Sequence, residues 1–276
     1  MMKILFSLLI IICCTACNKA VNTKTFAPKF VVEGWIENDD FPVVKLTHNL
    51  PVDAVLDSAQ LEEIVIRWAK VEVQTDDASE ILTLVRDKNI FPYYIYKGTQ
   101  LRGKTGKKYK LIVTYAENVL TAETSIPGKP LIDNVNFYKV DDSSYQVNLS
   151  FTDNAGSKDY YRFYTKPDSS ALYSPTTPGG FSDALFNGRS VSFQLFRNRY
   201  SNISPYTGAY FHYGDKVNVK LTNMDSISFT CWEAISRETA RIPFLNSGGD
   251  IPSNIRGAAL GIWYGAASSV HTAIAY

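Results

Sequence analysis

Disulfide chemistry is the first thing this sequence lacks. Of its four cysteines, Cys13, Cys14 and Cys17 crowd the N-terminus and Cys231 stands alone. No covalent framework can hold the fold, so its stability must come from buried surface. Histidine is scarce as well. His48, His212 and His271 lie far apart, with no i, i+4 partner and no Glu-x-x-His spacing, which argues against a histidine metal centre or a histidine base in a compact motif. An excess of charge is also missing, with 28 Lys and Arg against 27 Asp and Glu. Cleavage of a leader containing Lys3 would make the two counts equal. A balanced surface argues against nucleic acid, whose binding rests on a basic footprint, and equally against electrostatic docking on anionic lipid. No Gly-x-Ser-x-Gly elbow and no phosphate-cradling glycine loop is present.

The carboxylates form no catalytic pattern. Glu62-Glu63, Asp76-Asp77 and Asp141-Asp142 are adjacent pairs; neighbours on a strand point to opposite faces, so these read as turn residues rather than a facing acid and base. Asp153-Asn154-Ala155-Gly156 offers oxygens but lacks the spaced ligands and closing glutamate of a calcium loop. Cys231 has no CxxC neighbour and lies on an apolar face, which suits an inert buried thiol. The expectation is therefore a non-enzymatic protein with no metal, no cofactor and no catalytic residues.

What is present begins with the leader. Lys3 is followed by an apolar run from Ile4 to Cys14 broken by Ser7, and then by Thr15-Ala16-Cys17. The run is shorter than the ~20 residues that span a bilayer, and a positive start, apolar middle and small-residue end make a secretory signal. The terminal cysteine resembles a lipobox, in which cleavage precedes the cysteine and lipid is attached to it. Residues 1–16 are expected to be the signal peptide, Cys17 the lipid-bearing residue and 17–28 a tether.

From Lys29 the apolar period becomes two, the spacing of strands. Phe30, Val32 and Ile36; Val44 and Leu46; Val71 and Val73; Leu82 and Leu84; Tyr109, Leu111, Val113 and Tyr115; and Leu120 to Ile126 follow the two-residue spacing, with turn clusters between them. Asp53 to Trp68 reads as a helical turn or a long loop. This pattern predicts an immunoglobulin-like sandwich over 29–128. Pro127-Gly128-Lys129-Pro130 is the expected boundary, and alternation resumes at Val135, Tyr145, Tyr161, Val191 and Val217, giving a second antiparallel β domain over 129–276. Asn187-Gly188 reads as a type I′ hairpin turn. Asp225 suits an N-cap, and Ile227, Cys231, Ala234 and Ile235 share a helical face, predicting one short helix near 225–238; a strand through Ile227, Phe229 and Cys231 is the alternative. Ile262, Tyr264 and Ala266 read as a closing strand.

Between two of these strands, Phe196 to Tyr213 is rich in Tyr and Arg among Asn, Ser, Pro and Gly. Large rigid rings and forked cations dominate interfaces. Arg197, Arg199, Tyr200, Tyr206 and Tyr210 are therefore the candidate contact residues for a partner or ligand.

Five stretches in order carry a resemblance: Val31-Val32-Glu33-Gly34-Trp35-Ile36 with Val44-Lys45-Leu46-Thr47; Tyr109 to Val113 with Ala122 to Pro127; Phe181 to Gly188; Gly214-Asp215-Lys216-Val217-Asn218-Val219; and Ile251 to Gly257 leading into Leu260 to Gly265. Together they resemble the Bacteroidota lipoprotein family called domain of unknown function 4249. The resemblance spans nearly all the chain after the leader. It implies an outer-membrane lipoprotein, anchored by its N-terminal lipid, that serves as an accessory to a TonB-dependent receptor through ligand capture or gating. It carries over no catalytic residue. Short polar residues after Cys17 lack the acidic run that marks surface export, so the display face stays open. A glycan-acting enzyme or adhesin at the cell surface is the alternative function.

Overall fold

A computed structural model describes residues 26–51, 54, 57–197, 208–239 and 251–276. Cys17 and the rest of the leader lie outside the described residues, as do Arg199, Tyr200 and Tyr206.

The protein is mainly β, as its two-residue periodicity predicts. Strands β1 (Phe30–Glu37), β2 (Val43–His48), β3 (Lys70–Gln74), β4 (Ser79–Ile81), β5 (Thr83–Arg86), β6 (Tyr94–Lys97), β7 (Lys108–Tyr115) and β8 (Asn118–Ser125) make the first unit, with the short helix α1 (Ser58–Glu63) in the ambiguous stretch. After the 127–130 segment come β9 (Ile132–Lys139), β10 (Tyr145–Thr152), β11 (Tyr160–Pro167), β12 (Ser174–Ser182), β13 (Ser190–Arg197), β14 (Lys216–Met224), helix α2 (Ser226–Thr239) and β15 (Ala259–Ile274). A four-stranded sheet runs β4-β3-β7-β8, and an eleven-stranded sheet runs β5-β6-β2-β1-β15-β14-β11-β12-β13-β10-β9.

The first unit is a sandwich of the four-stranded sheet against β5-β6-β2-β1-β15. Its core joins Val32, Ile36, Val44, Leu46, Val71, Val73, Leu111, Val113 and Leu120, the residues whose alternation marks them as inward-facing. Ile255, Trp263 and Ala267, from the far end of the chain, complete it. The 127–130 segment thus separates two cores but not two sheets. The first half of β15 pairs in parallel with β1, from Phe30 opposite Ala259 to Glu37 opposite Ala266, and its second half pairs antiparallel with β14. At the parallel register Gly261 has φ near +120°, and a Cβ there would meet the Val32 carbonyl oxygen at 1.8 Å; only glycine fits.

The Ile251–Gly257 stretch has a backbone reason to precede this strand. Asn254 mimics a strand partner: its Nδ2 donates to the Trp263 carbonyl at 2.7 Å and its Oδ1 accepts from the Trp263 N–H at 2.9 Å. Ile255 enters the core, and Arg256 bridges to Thr121 on β8.

The second unit surrounds an aromatic core in which Phe151 meets Tyr161, Phe163, Phe186 and Phe193. The junction is tied to the sheet. Asn223 Nδ2 donates to the Gly128 carbonyl at 3.1 Å, and the Ser269 hydroxyl donates to the Pro130 carbonyl. Helix α2 starts where its cap predicts, with the Ser228 N–H on Asp225 Oδ1 at 2.8 Å. It buries Ser228, Cys231 and Ala234, while Ile227 is left exposed. The turn at Asn187-Gly188 departs from the type I′ expectation. Only Gly188 has positive φ, at 71°, and a single 3₁₀ turn over Asp183–Leu185 precedes it in place of a hairpin strand.

Candidate functional site on the outer face of the long sheet

Both cores press on one face of the long sheet, so strand alternation dictates what the other face displays. β1 places Glu33, Trp35 and Glu37 there, opposite Ile262, Tyr264 and Ala266 of β15. β2 adds Lys45 opposite Glu33. β14 contributes Lys220, Thr222 and Met224, and β11 contributes Tyr160, Arg162 and Tyr164 in register with them. Helix α2 lies across part of this surface: the Trp232 ring meets Tyr264 edge-on at 6.1 Å, and Phe229 meets Tyr160 at 5.3 Å.

The charges here are arranged, not scattered. Lys45 bonds both carboxylate oxygens of Glu33 at 3.1 and 3.0 Å. Lys220 bonds both oxygens of Glu37 at 2.7 and 2.6 Å, and the Ser268 hydroxyl adds a third bond to Glu37. The Lys220 and Glu37 side chains keep only 14% and 21% of their surface exposed, so this pair is largely covered. Rings line it. Trp35 stacks with Tyr264 at 6.5 Å, the Lys45 ammonium sits 5.5 Å from the Trp35 ring, and Lys220 lies 5.3 Å from Tyr173 and 5.9 Å from Tyr164.

Burial, reinforced by Glu37, raises the phenols of Tyr164 and Tyr173, against which Arg162 works at Tyr164. Burial, then Tyr164, Glu37 and Glu33, holds Tyr264 well above its ordinary value. All three remain neutral donors and acceptors near pH 7. Burial and the Glu33 charge push Cys231 up to about 11, which makes it the inert thiol its apolar setting predicts. This arrangement can bind a polar molecule with a ring or apolar body. No residue of it was singled out from the sequence as a ligand contact, because its members come from β1, β2, β11, β14, β15 and α2. The alternation itself was the available signal: charged and aromatic residues recur at every second position of β1 and β11.

Of the residues predicted as contacts, Arg197 and Tyr210 are described. Arg197 ends β13 nearly buried, its guanidinium 5.2 Å from the Phe211 ring, and so turns inward rather than toward a partner. Tyr210 is half-buried against Phe196 at 5.8 Å. Phe211 is wholly buried and Tyr213 is exposed. The described rings of this segment therefore divide between core and surface.

A second group is a buried carboxylate cluster beside a cleft of about 350 Å³ at the junction between the units. Asp153, Asp159 and Asp183 bring oxygens within 4.8 Å of one another, a donor set of the kind a hard cation takes. Each carboxylate already accepts hydrogen bonds. Tyr161 donates to Asp153 at 2.6 Å and Gly188 N–H to Asp153 at 2.7 Å. Ser157 and Asn223 donate to Asp159 at 2.7 and 2.8 Å, and the Asp159 N–H to Asp183 at 2.8 Å. Burial first, then the neighbouring carboxylates, drives the Tyr161 phenol far above its ordinary value. The cluster is a satisfied network that fastens the loops around β10, β11 and β12. The sequence marked Asp153 alone, since the three aspartates span thirty positions. The histidines remain apart: His48 lies against Phe30, His212 near Asp215 and His271 opposite Val219.

No curated protein matches the chain. The family model described as Domain of unknown function (DUF4249) matches residues 19–271. A match of that length covers both cores, the junction between them and the shared last strand, and this chain belongs to the DUF4249 family.

Proposed function

We propose that the protein is a non-enzymatic binding protein, held at the outer membrane by lipid on Cys17, that captures ligand for a TonB-dependent receptor or gates access to it. The observation that carries the binding half is the outer face, where the cations Lys45 and Lys220 are each committed to a carboxylate and the rings of Trp35, Trp232 and Tyr264 stand beside them. Lysine and carboxylate locked in ion pairs are poor proton shuttles but good walls, because they orient without reacting. The leader ending in Thr15-Ala16-Cys17 supports the anchored half. Tethering confines the protein to the membrane plane, so a weak contact with a receptor suffices because the effective concentration is high.

Affinity purification of the full chain from solubilised outer membranes tests this reading. A TonB-dependent receptor should co-purify in stoichiometric yield, and Tyr200→Ala with Tyr206→Ala should reduce that yield at least tenfold without changing the circular dichroism spectrum. Recovery of the chain with no such receptor would overturn the receptor assignment.

A further inference from the structure

On the outer face one buried cation has no anion among the described residues. Arg162 sits in β11 between Thr222 of β14 and Gly180 of β12. It is only 5% exposed, and Nε and Nη1 are buried without a hydrogen-bond partner. Among the described residues no ion pair reaches its guanidinium. Its neighbours are ring faces, with the guanidinium carbon 4.8 Å from Trp232 and 5.7 Å from Tyr164. Gly180 makes room for it, since a Cβ there would lie 3.0 Å from Arg162 Cγ. Lys45 and Lys220 on the same face have Glu33 and Glu37, so the contrast is internal to the site.

A buried guanidinium is expensive without an anion or a full set of acceptors. Contact with rings offsets only part of that cost. Such groups persist where a ligand completes them. We propose that Arg162 anchors a site for a small organic carboxylate with a ring or apolar body, seated against Trp232, Tyr164 and Tyr264.

The charge on the face selects the class. Arg162 is its one buried cation without a carboxylate among the described residues, while Glu37 acts on both Tyr164 and Tyr264 and Glu33 on Tyr264. A monoanion matches one guanidinium, whereas a phosphate dianion would leave its second charge beside two carboxylates. The planar fork of arginine also suits a carboxylate in two-bond geometry. The walls favour a ring, and the neutral phenols can hydrogen-bond hydroxyl groups on it. The proposal deepens the ligand-capture reading and rests on it for the ligand's purpose, while the binding itself needs no receptor.

The test uses the full chain in mild detergent at constant ionic strength. D-glucuronate, phenylacetate and inorganic phosphate are titrated separately, and melting temperature and tryptophan fluorescence are followed. At least one of the two carboxylates should raise the melting temperature by several degrees with saturation and change the fluorescence in parallel. Arg162→Met should lose that response while melting, without ligand, no lower than the parent. Should Arg162→Met not fold, Arg162→Lys keeps the charge without the fork and should bind at least tenfold more weakly. Saturation by neither carboxylate, an undiminished response in the folded variant, or phosphate acting alone would each overturn the proposal. A carboxylate response without receptor co-purification would sink the receptor reading and leave this site standing; the converse result would sink this site only.

Discussion

The Trp263 indole N–H donates to the Tyr109 carbonyl oxygen at 3.1 Å, across 154 positions of sequence. Trp263 lies on β15 in the long sheet and Tyr109 on β7 in the facing sheet, so this bond crosses the first sandwich. The ring is wholly buried against Gly34, where a Cβ would come within 2.8 Å of it. The last strand is thus an integral member of the first unit.

A fragment ending at residue 130 should therefore fail to fold. It would keep β1 to β8 but expose the β1 edge and the cavity that Trp263 fills. Near-ultraviolet circular dichroism and amide dispersion should be those of an unfolded chain. In the full protein, Trp263→Ala should cost about 3–5 kcal/mol, read by urea unfolding.

Glu80 predicts a pH dependence. Its carboxylate is buried and accepts from the backbone N–H groups of Thr99, Gln100 and Leu101 at 2.6, 3.0 and 2.7 Å. Burial alone would raise its pKa, but these donors hold it below the ordinary glutamate value. The unfolded chain then binds the proton more readily, so the contribution is fully present above about pH 4.3 and is lost as pH falls through the lower folded value. Glu80→Gln should cost about 2 kcal/mol at neutral pH and flatten the acid limb of stability measured by unfolding at a series of pH values.

Tyr161→Phe removes the hydroxyl that donates to Asp153 and lies 3.4 Å from Asp159. Hydrogen bonds to charged groups are worth about 1.5–3 kcal/mol, and a buried carboxylate left short of a donor costs more than an apolar pair would. The variant should unfold at correspondingly lower urea, with fluorescence at neutral pH as the readout.

Cys17→Ala tests the anchor. The variant should leave the membrane fraction and lose incorporation of labelled fatty acid, while its circular dichroism stays that of the parent. Retained membrane partition with acyl label intact would refute the assignment.

Much of the architecture was written locally. Val32 and Ile36, or Leu111 and Val113, face inward because apolar residues recur at the strand period, and that needs no knowledge of partners. Asp225 begins helix α2 because its carboxylate can satisfy an orphan N–H one turn ahead. Strand Ser174–Ser182 carries two prolines and two glycines in nine residues, which hide it from a periodicity reading; it holds as a strand through a register shift against β11 and two paired residues on β13.

Pairing between distant segments is what only the tertiary structure decided. Periodicity says which side of β15 is buried but not which strand lies beside it, so the parallel match of Val32 to Gly261 emerges only when the chain closes on itself. The same holds for charge. Glu33, Glu37, Lys45, Lys220 and Arg162 read as five ordinary strand residues, and the sheet alone determines that four of them neutralise one another while the fifth is buried without an anion among the described residues, because Coulomb attraction and desolvation depend on distance in space and not in sequence.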